Sequence, residues 1–494
     1  MNVIFRKKAL YHFSVSRITV VCLLIAVAIL SSCSSPTVHP PLYASIDIGE
    51  NEEVTVSPWV SEDGVCYFFL PSFPSVHDVT FIPTNTVFMD GQEVREPFSL
   101  SVLYLDTDSL SDNCEFRVST QNGGGKNEEE VIIVKVLKAR QVPTLVVQTS
   151  SGTLEKVHAD KEYKESVSLR LYEADGTINY ESIEEGATLK GRGNGTWTQP
   201  KKSYTLKLAH KFGLLGMDKS KKWTLLSNVY DETNLRNWIA FRLAGKANLN
   251  GTPEANFVDL YVDGNYLGLY NLTQKITSKL VKDIEGNEPV LMKIDNNEEG
   301  DDVFLSEHGT VVEVQDLEKV HLEKDSIKNT FDIFETALLS CQGIEYIDVD
   351  SWVKHYLVDE ITENGDAGAR SNYLYFYDDT LKFYSGPVWD YDFSLGRDRK
   401  LCGNPKTFTA LREWRTFDGW TPHYSMMLKD SISQQCLKKC FSEIFVPCVQ
   451  ELVEHDIIQK AEEILKVYES KDNKKQISIQ ESLPLDSLMS TKDN

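Results

Sequence analysis

From about residue 46 to Val142, short runs of β-branched and aromatic residues alternate with turn formers: VCYFFL, VTFI, FSLSVLYL, CEFRVST and VIIVKVL. Several short strands at this spacing predict a small all-β module, an Ig-like sandwich, over 46–142. The pattern changes after Gln141. VSLRLYEADGTINY reads as a hairpin turning at Asp175-Gly176, and NFVDLYVDGNYLGLYNL as another at Asp263-Gly264. In KKSYTLKL, strand alternation sets Tyr204, Leu206 and Leu208 on one face and Ser203, Thr205 and Lys207 on the other. Helical spacing follows: Leu235, Trp238, Ile239 and Leu243 behind a cap at Asp231 or Thr233. A second stripe is Ile327, Phe331, Phe334 and Leu338. A further helix, capped near Asp350, covers WVKHYLVDEI. NYLYFYDDTLKFYSGPVWDYD predicts a hairpin that turns near Asp378-Asp379, and the stretch from about Ser425 to Glu469 is helical. Strands, helix, hairpin, helices, hairpin, helices: that order predicts an α+β domain over 143–469.

The two ends carry different information. Arg6, Lys7, Lys8 and Arg17 precede the apolar run from Ile18 to Leu30, and LSSC follows, ending at Cys33. This reads as a signal peptide over 1–32, with an apolar run short for a spanning helix. The Leu-Ser-Ser-Cys ending resembles a bacterial lipobox, which implies a lipid on Cys33. The mature chain is then expected in the bacterial cell envelope, tethered to a membrane through 33–45 and facing the periplasm or the cell surface. Residues 470–494 are polar and expected to be disordered. A net charge of −23 sets this surface against phosphate backbones, so a nucleic-acid partner is not expected. Among the cysteines, one disulfide such as Cys66–Cys114 is expected. CLKKC (Cys436 to Cys440) has i,i+4 spacing without the partners of a zinc motif.

In so acidic a chain, LKGRGNGTWTQPKKSYTLKL stands out. Gly191, Gly193 and Gly195 would let backbone N–H groups approach an anion, Arg192 adds charge, and Lys207 projects from a strand. A solvated Gly-rich turn is the equal alternative from this stretch alone. Downstream lie Asp366, Asn372, Asp390 and Asp392. Folding the hairpin at 378–379 brings the loop holding Asp366 and Asn372 beside Asp390. Hard oxygen donors of this kind suit Mg²⁺ held together with phosphate oxygens. A pair of carboxylates would also serve a glycoside hydrolase, but that reading leaves the cationic strand unused.

Four blocks, GRGNGTWTQPKKSYTLKL, WTLLSNVYDETNLRN, VDLYVDGNYLGLYNLTQK and GPVWDYDFSLG, resemble in order those of the CotH-type family of atypical protein kinases. The resemblance implies a distant protein-kinase-like fold, ATP with Mg²⁺ or Mn²⁺, and phosphorylation of Ser or Thr on a protein substrate. By position it implies Asp366 as the catalytic-loop carboxylate, Asn372 as its companion amide, and Asp390 with Asp392 and Asn372 at the metal. Lys202 or Lys207 would contact phosphate with Arg192 nearby, Lys207 preferred, and Lys275 and Lys293 are reserves. Two features depart from the family pattern. The interval from Asp366 to Asn372 is one residue longer than the usual catalytic-loop interval, and Gln274 stands where relatives often carry Glu. They leave open a catalytically attenuated kinase-like scaffold or binding protein of the cell envelope.

Overall fold

The computed structural model describes residues 40–47, 53–60, 64–71, 79–89, 91–99, 114–121, 129–138, 142–281, 288–295, 300–368, 370–378, 380, 382–397 and 422–465. The signal sequence, Cys33 and the 470–494 tail lie outside them. No helix among the described residues is long and apolar enough to cross a membrane.

The N-terminal strands form two sheets. One orders β2 (Glu53–Val56), β1 (Leu42–Asp47), β5 (Val79–Pro83) and β8 (Phe98–Ser99). The other orders β3 (Trp59–Val60), β4 (Cys66–Leu70), β10 (Glu129–Lys138), β9 (Cys114–Gln121), β6 (Val87–Met89) and β7 (Gln92–Val94). Ala44, Val56 and Phe81 from the first sheet share one core with Phe68, Val118 and Val134 from the second. Strand β1 begins at Leu42, inside the stretch expected to be tether. Alternation explains it: Leu42, Ala44 and Ile46 are fully buried. The Cys66–Cys114 disulfide does not form, and Cys66 is a free thiol. Cys66 pairs with Val134 and Cys114 with Val136, on opposite edges of β10. A whole strand separates them, roughly 9–10 Å, beyond the reach of a disulfide.

The second unit starts at Thr144 with a closed barrel. Its strands are β11 (Thr144–Thr149), β12 (Glu165–Tyr172), β13 (Ile178–Arg192), β14 (Ser203–Phe212), β15 (Ser220–Leu226), β16 (Ala255–Val262) and β17 (Asn265–Gln274), in the order 11-12-13-14-15-17-16. Tyr204, Leu206 and Leu208 point into its core with Trp223 and Leu272, as their alternation predicts. Helix α1 (Glu155–Ala159) places Val157 in the same core. The two-residue turn Asp263-Gly264 joins β16 to β17 and doubles as a dock for the N-terminal module. Ser57 N donates to Gly264 O at 2.8 Å, and a Cβ on Gly264 would come within 3.1 Å of Thr55 O. Tyr261 OH donates to Phe69 O at 2.8 Å.

A third region holds a five-stranded sheet against helices. The strands are β18 (Val290–Ile294), β19 (Val303–Leu305), β20 (Val311–Val314), β21 (Asn372–Phe376) and β22 (Phe383–Ser385), ordered 19-20-18-21-22. Helix α2 (Arg236–Lys246) follows the barrel strand β15, and Asp231 receives its Arg236 N at 2.8 Å. Helix α3 (Lys324–Leu339) buries the predicted stripe, with Phe334 stacked on Phe383 at 4.2 Å between centroids. Helix α4 (Val349–Ile361) is capped by Asp348, not Asp350: Ser351 N donates to Asp348 Oδ1 at 2.9 Å. Asp350 sits two residues later, in the first turn. Helices α5 (His423–Met427), α6 (Ser431–Cys440), α7 (Val446–Glu451) and α8 (Ile457–Leu465) close the chain. The turn Phe441–Phe445 is widened to a π turn just before Pro447, whose ring cannot fit the ordinary α register.

Candidate active site

The outer face of the barrel is a cationic grid set by strand register. Arg192 pairs with Ser203 and Lys190 with Thr205. Thr205 pairs with Thr224 and Lys207 with Lys222. Thr224 pairs with Thr273, and Lys275 N donates to Lys222 O at 3.0 Å. Directly paired residues point to the same side of a sheet, so Lys190, Arg192, Lys222 and Lys275 share that face. Burial pulls the Lys275 ammonium down to about 8, helped by repulsion from Lys222, Arg192 and Lys190 and opposed by Asp316. Lys222 reaches Asp316 at 3.3 Å and Lys190 reaches Glu162 at 2.5 Å. Among the described residues, Arg192 and Lys275 have no carboxylate within ion-pair distance. Two half-buried cations without counter-ions make a place for an anion.

Arg192 crosses to the opposite wall. Its guanidinium lies over the Trp389 ring at 5.1 Å. Burial lowers its pKa, while Tyr373, Asp390 and Asp392 act the other way. Lys293 on β18 is paired with Asp295 at 2.9 Å and Glu313 at 2.6 Å. Burial pulls its pKa down, but Tyr373, Asp295 and Glu313 outweigh that and hold it above the ordinary lysine value. Tyr373 is pushed up to about 12, chiefly by burial.

The acidic residues occupy the turn after β22. Asp390 and Ser371 both adopt left-handed backbone, with φ of 67° and 49°. Ser371 Oγ donates to Asp390 Oδ2 at 3.1 Å. The Asp390 side chain opens onto solvent, yet protein surrounds it closely enough that lost hydration raises its pKa, with Asp295 adding to the rise and Arg192 opposing it. Asp392 is buried and pushed up to about 7, first by burial and then by Asp390 and Asp231. Asn237 on α2 holds this turn twice. Its Nδ2 donates to Asp392 Oδ1, and its Oδ1 accepts from Tyr391 N at 2.8 Å.

The Asp366 loop lies alongside. Gly365 N donates to Phe393 O at 2.9 Å, and Leu395 N to Thr362 O at 2.6 Å. Beneath it, Asp359 accepts from Asn364 Nδ2 at 2.9 Å, Tyr391 OH at 2.7 Å and Tyr424 OH at 3.1 Å. Asp366 N donates to Asn364 Oδ1 at 3.1 Å, so this buried hub positions the loop. Asn372 Oδ1 is buried and has no partner among the described residues.

The fold thus gathers Arg192, Lys293, Asp390 and Asp392 about one cleft, with the Asp366 loop bonded to the Asp390 turn and Asn372 next to Ser371. The other expected contacts lie elsewhere. Lys202 Nζ is spent on Trp197 O at 2.6 Å. Lys207 is exposed beyond Lys222 at the edge of the grid. Gln274 faces the other way from Thr273 and Lys275, accepting from Glu254 N at 2.6 Å and donating to Asp218 O at 3.3 Å. It braces two barrel segments and does not touch the cleft cations. A Cβ on Gly191 would lie 2.4 Å from the Trp197 ring, and one on Gly193 2.1 Å from Thr196 Oγ1. Those glycines make room for side chains. Ser371 and Asn237 were not singled out by the sequence, and Lys275 stood only as a reserve. The alternation Asn271, Thr273, Lys275 would have put Lys275 on the polar face.

A cavity of about 510 Å³ lies apart from this cleft, between α2, the start of β16 and α8. Its cations are all paired: Arg242 with Asp456, Lys246 with Glu451 and Asp456, Lys460 with Glu463. The cleft is the chemically poised site. Its donors toward a cation are oxygens only, its carboxylates have lost hydration, and an amide oxygen lacks a partner. That set fits a hard divalent cation accompanied by an anionic ligand.

No curated protein matches the chain. A family model described as CotH kinase protein matches residues 189–482, more than half of the chain and all of the cleft described above. The match begins within β13, so β11, β12 and the N-terminal module precede it. On this evidence the chain belongs to the CotH kinase protein family.

Proposed function

We propose that the protein is a lipid-anchored, extracytoplasmic kinase that transfers the γ-phosphate of ATP to a Ser or Thr hydroxyl of a protein. The observation that carries this reading is the approach of Arg192, which has no ion-pair partner among the described residues, to Asp390 and Asp392, with Lys275 near it on the same barrel face. Bound ATP supplies the phosphoryl group, and Mg²⁺ or Mn²⁺ neutralises phosphate charge. Lys275 and Arg192 bind phosphate oxygens, a role moved here from Lys207 and Lys202. Asp390 and Asp392, with the Asn372 amide oxygen, hold the cation. Asp366 orients the acceptor hydroxyl and takes its proton as the oxygen bonds to phosphorus and ADP leaves. Asn237 and Ser371 act as positioning residues for the two metal-side carboxylates.

The membrane tether rests on the sequence around Cys33. Isothermal titration of the full chain with ATP and Mn²⁺, beside Asp392→Asn and Lys275→Ala, tests the reading. Binding in the parent and loss in both variants is the expected result. No binding by the parent would leave a non-catalytic scaffold of the envelope. Cleavage of polysaccharide without nucleotide would indicate a hydrolase.

A further inference from the structure

At the end of α4 remote from the Asp366 loop, a second cluster of ligating side chains joins α4 to α6. Cys436 and Cys440 lie one turn apart on α6, their Sγ atoms 3.7 Å from each other. Asp350, in the first turn of α4, turns Oδ1 toward Cys440 Sγ at 3.8 Å. Its Oδ2 is held by Lys354 Nζ at 2.7 Å. The ligand atoms of all three residues lie within 4.8 Å of one another. Tetrahedral zinc, with Zn–S near 2.3 Å and Zn–O near 2.0 Å, places two sulfurs about 3.8 Å apart and sulfur and oxygen about 3.5 Å apart. The sulfur pair already has that spacing, and the carboxylate oxygen is a few tenths of an ångström from it toward Cys440 and within 4.8 Å of Cys436.

We propose that Asp350, Cys436 and Cys440 bind a thiophilic divalent cation of the Zn²⁺ type, with a fourth position open to water. Access is direct: the Asp350 side chain is 57% exposed and Cys436 is partly exposed, while Cys440 closes the inner side. Lys354 is the positioning residue. It occupies one carboxylate oxygen and leaves the other aimed at the sulfurs, as outer-shell partners of metal ligands do. Binding replaces two thiol protons with one cation and releases them to solvent. It would pin the C-terminal helices to the helix that carries Asp359 and leads into the Asp366 loop.

Co²⁺ titration of the reduced full chain reads the site directly through thiolate-to-metal charge transfer, with Zn²⁺ as competitor. The expected result is one tetrahedral, two-thiolate Co²⁺ site per chain, displaced by Zn²⁺. Cys436→Ser and Cys440→Ser each abolish the band, Asp350→Asn weakens affinity about tenfold or more, and Lys354→Met weakens it about 10–100-fold. Cys341→Ser and Cys448→Ser leave it unchanged. A parent protein without the band while both thiols titrate as free, or a band that survives Cys436→Ser/Cys440→Ser together, would overturn the proposal. So would a Cys436–Cys440 disulfide that persists under reducing conditions able to free Cys341.

Discussion

Ser371 donates its hydroxyl to Asp390 Oδ2 across 3.1 Å, and both residues hold left-handed backbone. Such backbone costs a non-glycine residue on the order of 1–2 kcal/mol. Two strained residues nineteen positions apart, fixed to each other by one hydrogen bond, set a carboxylate at the mouth of the cleft. Asparagine tolerates left-handed backbone and can accept the same hydrogen bond. Asp390→Asn should therefore melt within about 0.5 kcal/mol of the parent while losing Mn²⁺-dependent ATP binding. A large drop in melting temperature would mean that the charge serves the fold.

Asp392 titrates near 7 in the folded chain instead of 3.8. The folded state then holds its proton longer than the unfolded state, so without metal this group's contribution to stability falls as pH rises through that window. Asp392→Asn should gain stability relative to the parent from pH 4 to 7 and stay level above it, as followed by denaturant melts at several pH values. Mn²⁺ should reverse the ranking at pH 8, because the ionised pair then has its counter-charge. A pH-independent difference would contradict the assignment.

Lys275 shifts the other way, to about 8 from 10.5. The folded state sheds this proton first, so its penalty is present below pH 8 and fades as pH rises to 10.5. Lys275→Met should stabilise the chain at pH 7 by roughly 1–3 kcal/mol, with the gain shrinking above pH 8. The same variant should bind ATP at least about tenfold more weakly. Thermal melts with and without nucleotide measure both effects.

Asn271 lies on the outer barrel face between Leu226 and Phe257, fully buried, with neither amide atom partnered among the described residues. An unmet amide costs about 1–3 kcal/mol. Asn271→Leu should raise the melting temperature of the ligand-free protein. If it lowers it, the amide has a partner, such as bound water, that stabilises the ligand-free fold.

Asp359 receives three hydrogen bonds from Asn364, Tyr391 and Tyr424. Asp359→Ala removes the shared acceptor and strands all three donors. A loss of about 3–5 kcal/mol is expected, with local hydrogen exchange accelerating across 362–368. Exchange that stays slow there would show that the Phe393 and Thr362 backbone bonds hold the loop unaided.

Much of this was readable along the chain. The α3 stripe, the Asp263-Gly264 hairpin and the inward face of β14 follow from periodicity, because a side chain's direction in a regular element depends on its position alone. The family blocks pointed to the Asp366, Asn372 and Asp390 region. Lys207 misled for a physical reason: alternation identifies a face, but cannot say how far along that face the opposing wall extends. At Gly191 and Gly193 the space is taken by Trp197, six residues after Gly191, and by Thr196, which only packing reveals.

The sequence by itself determined the elements, their buried faces and the presence of hard oxygen donors, all properties of local spacing. The tertiary structure alone decided which cations meet those donors. Strand register across β13, β14, β15 and β17 puts Lys275 on the same barrel face as Arg192, and the folded chain brings their charges near enough to repel although they lie more than eighty residues apart. Burial then made that lysine easier to deprotonate and Asp392 harder. Charge is written in the sequence, but its hydration and its neighbours exist only once the chain has closed.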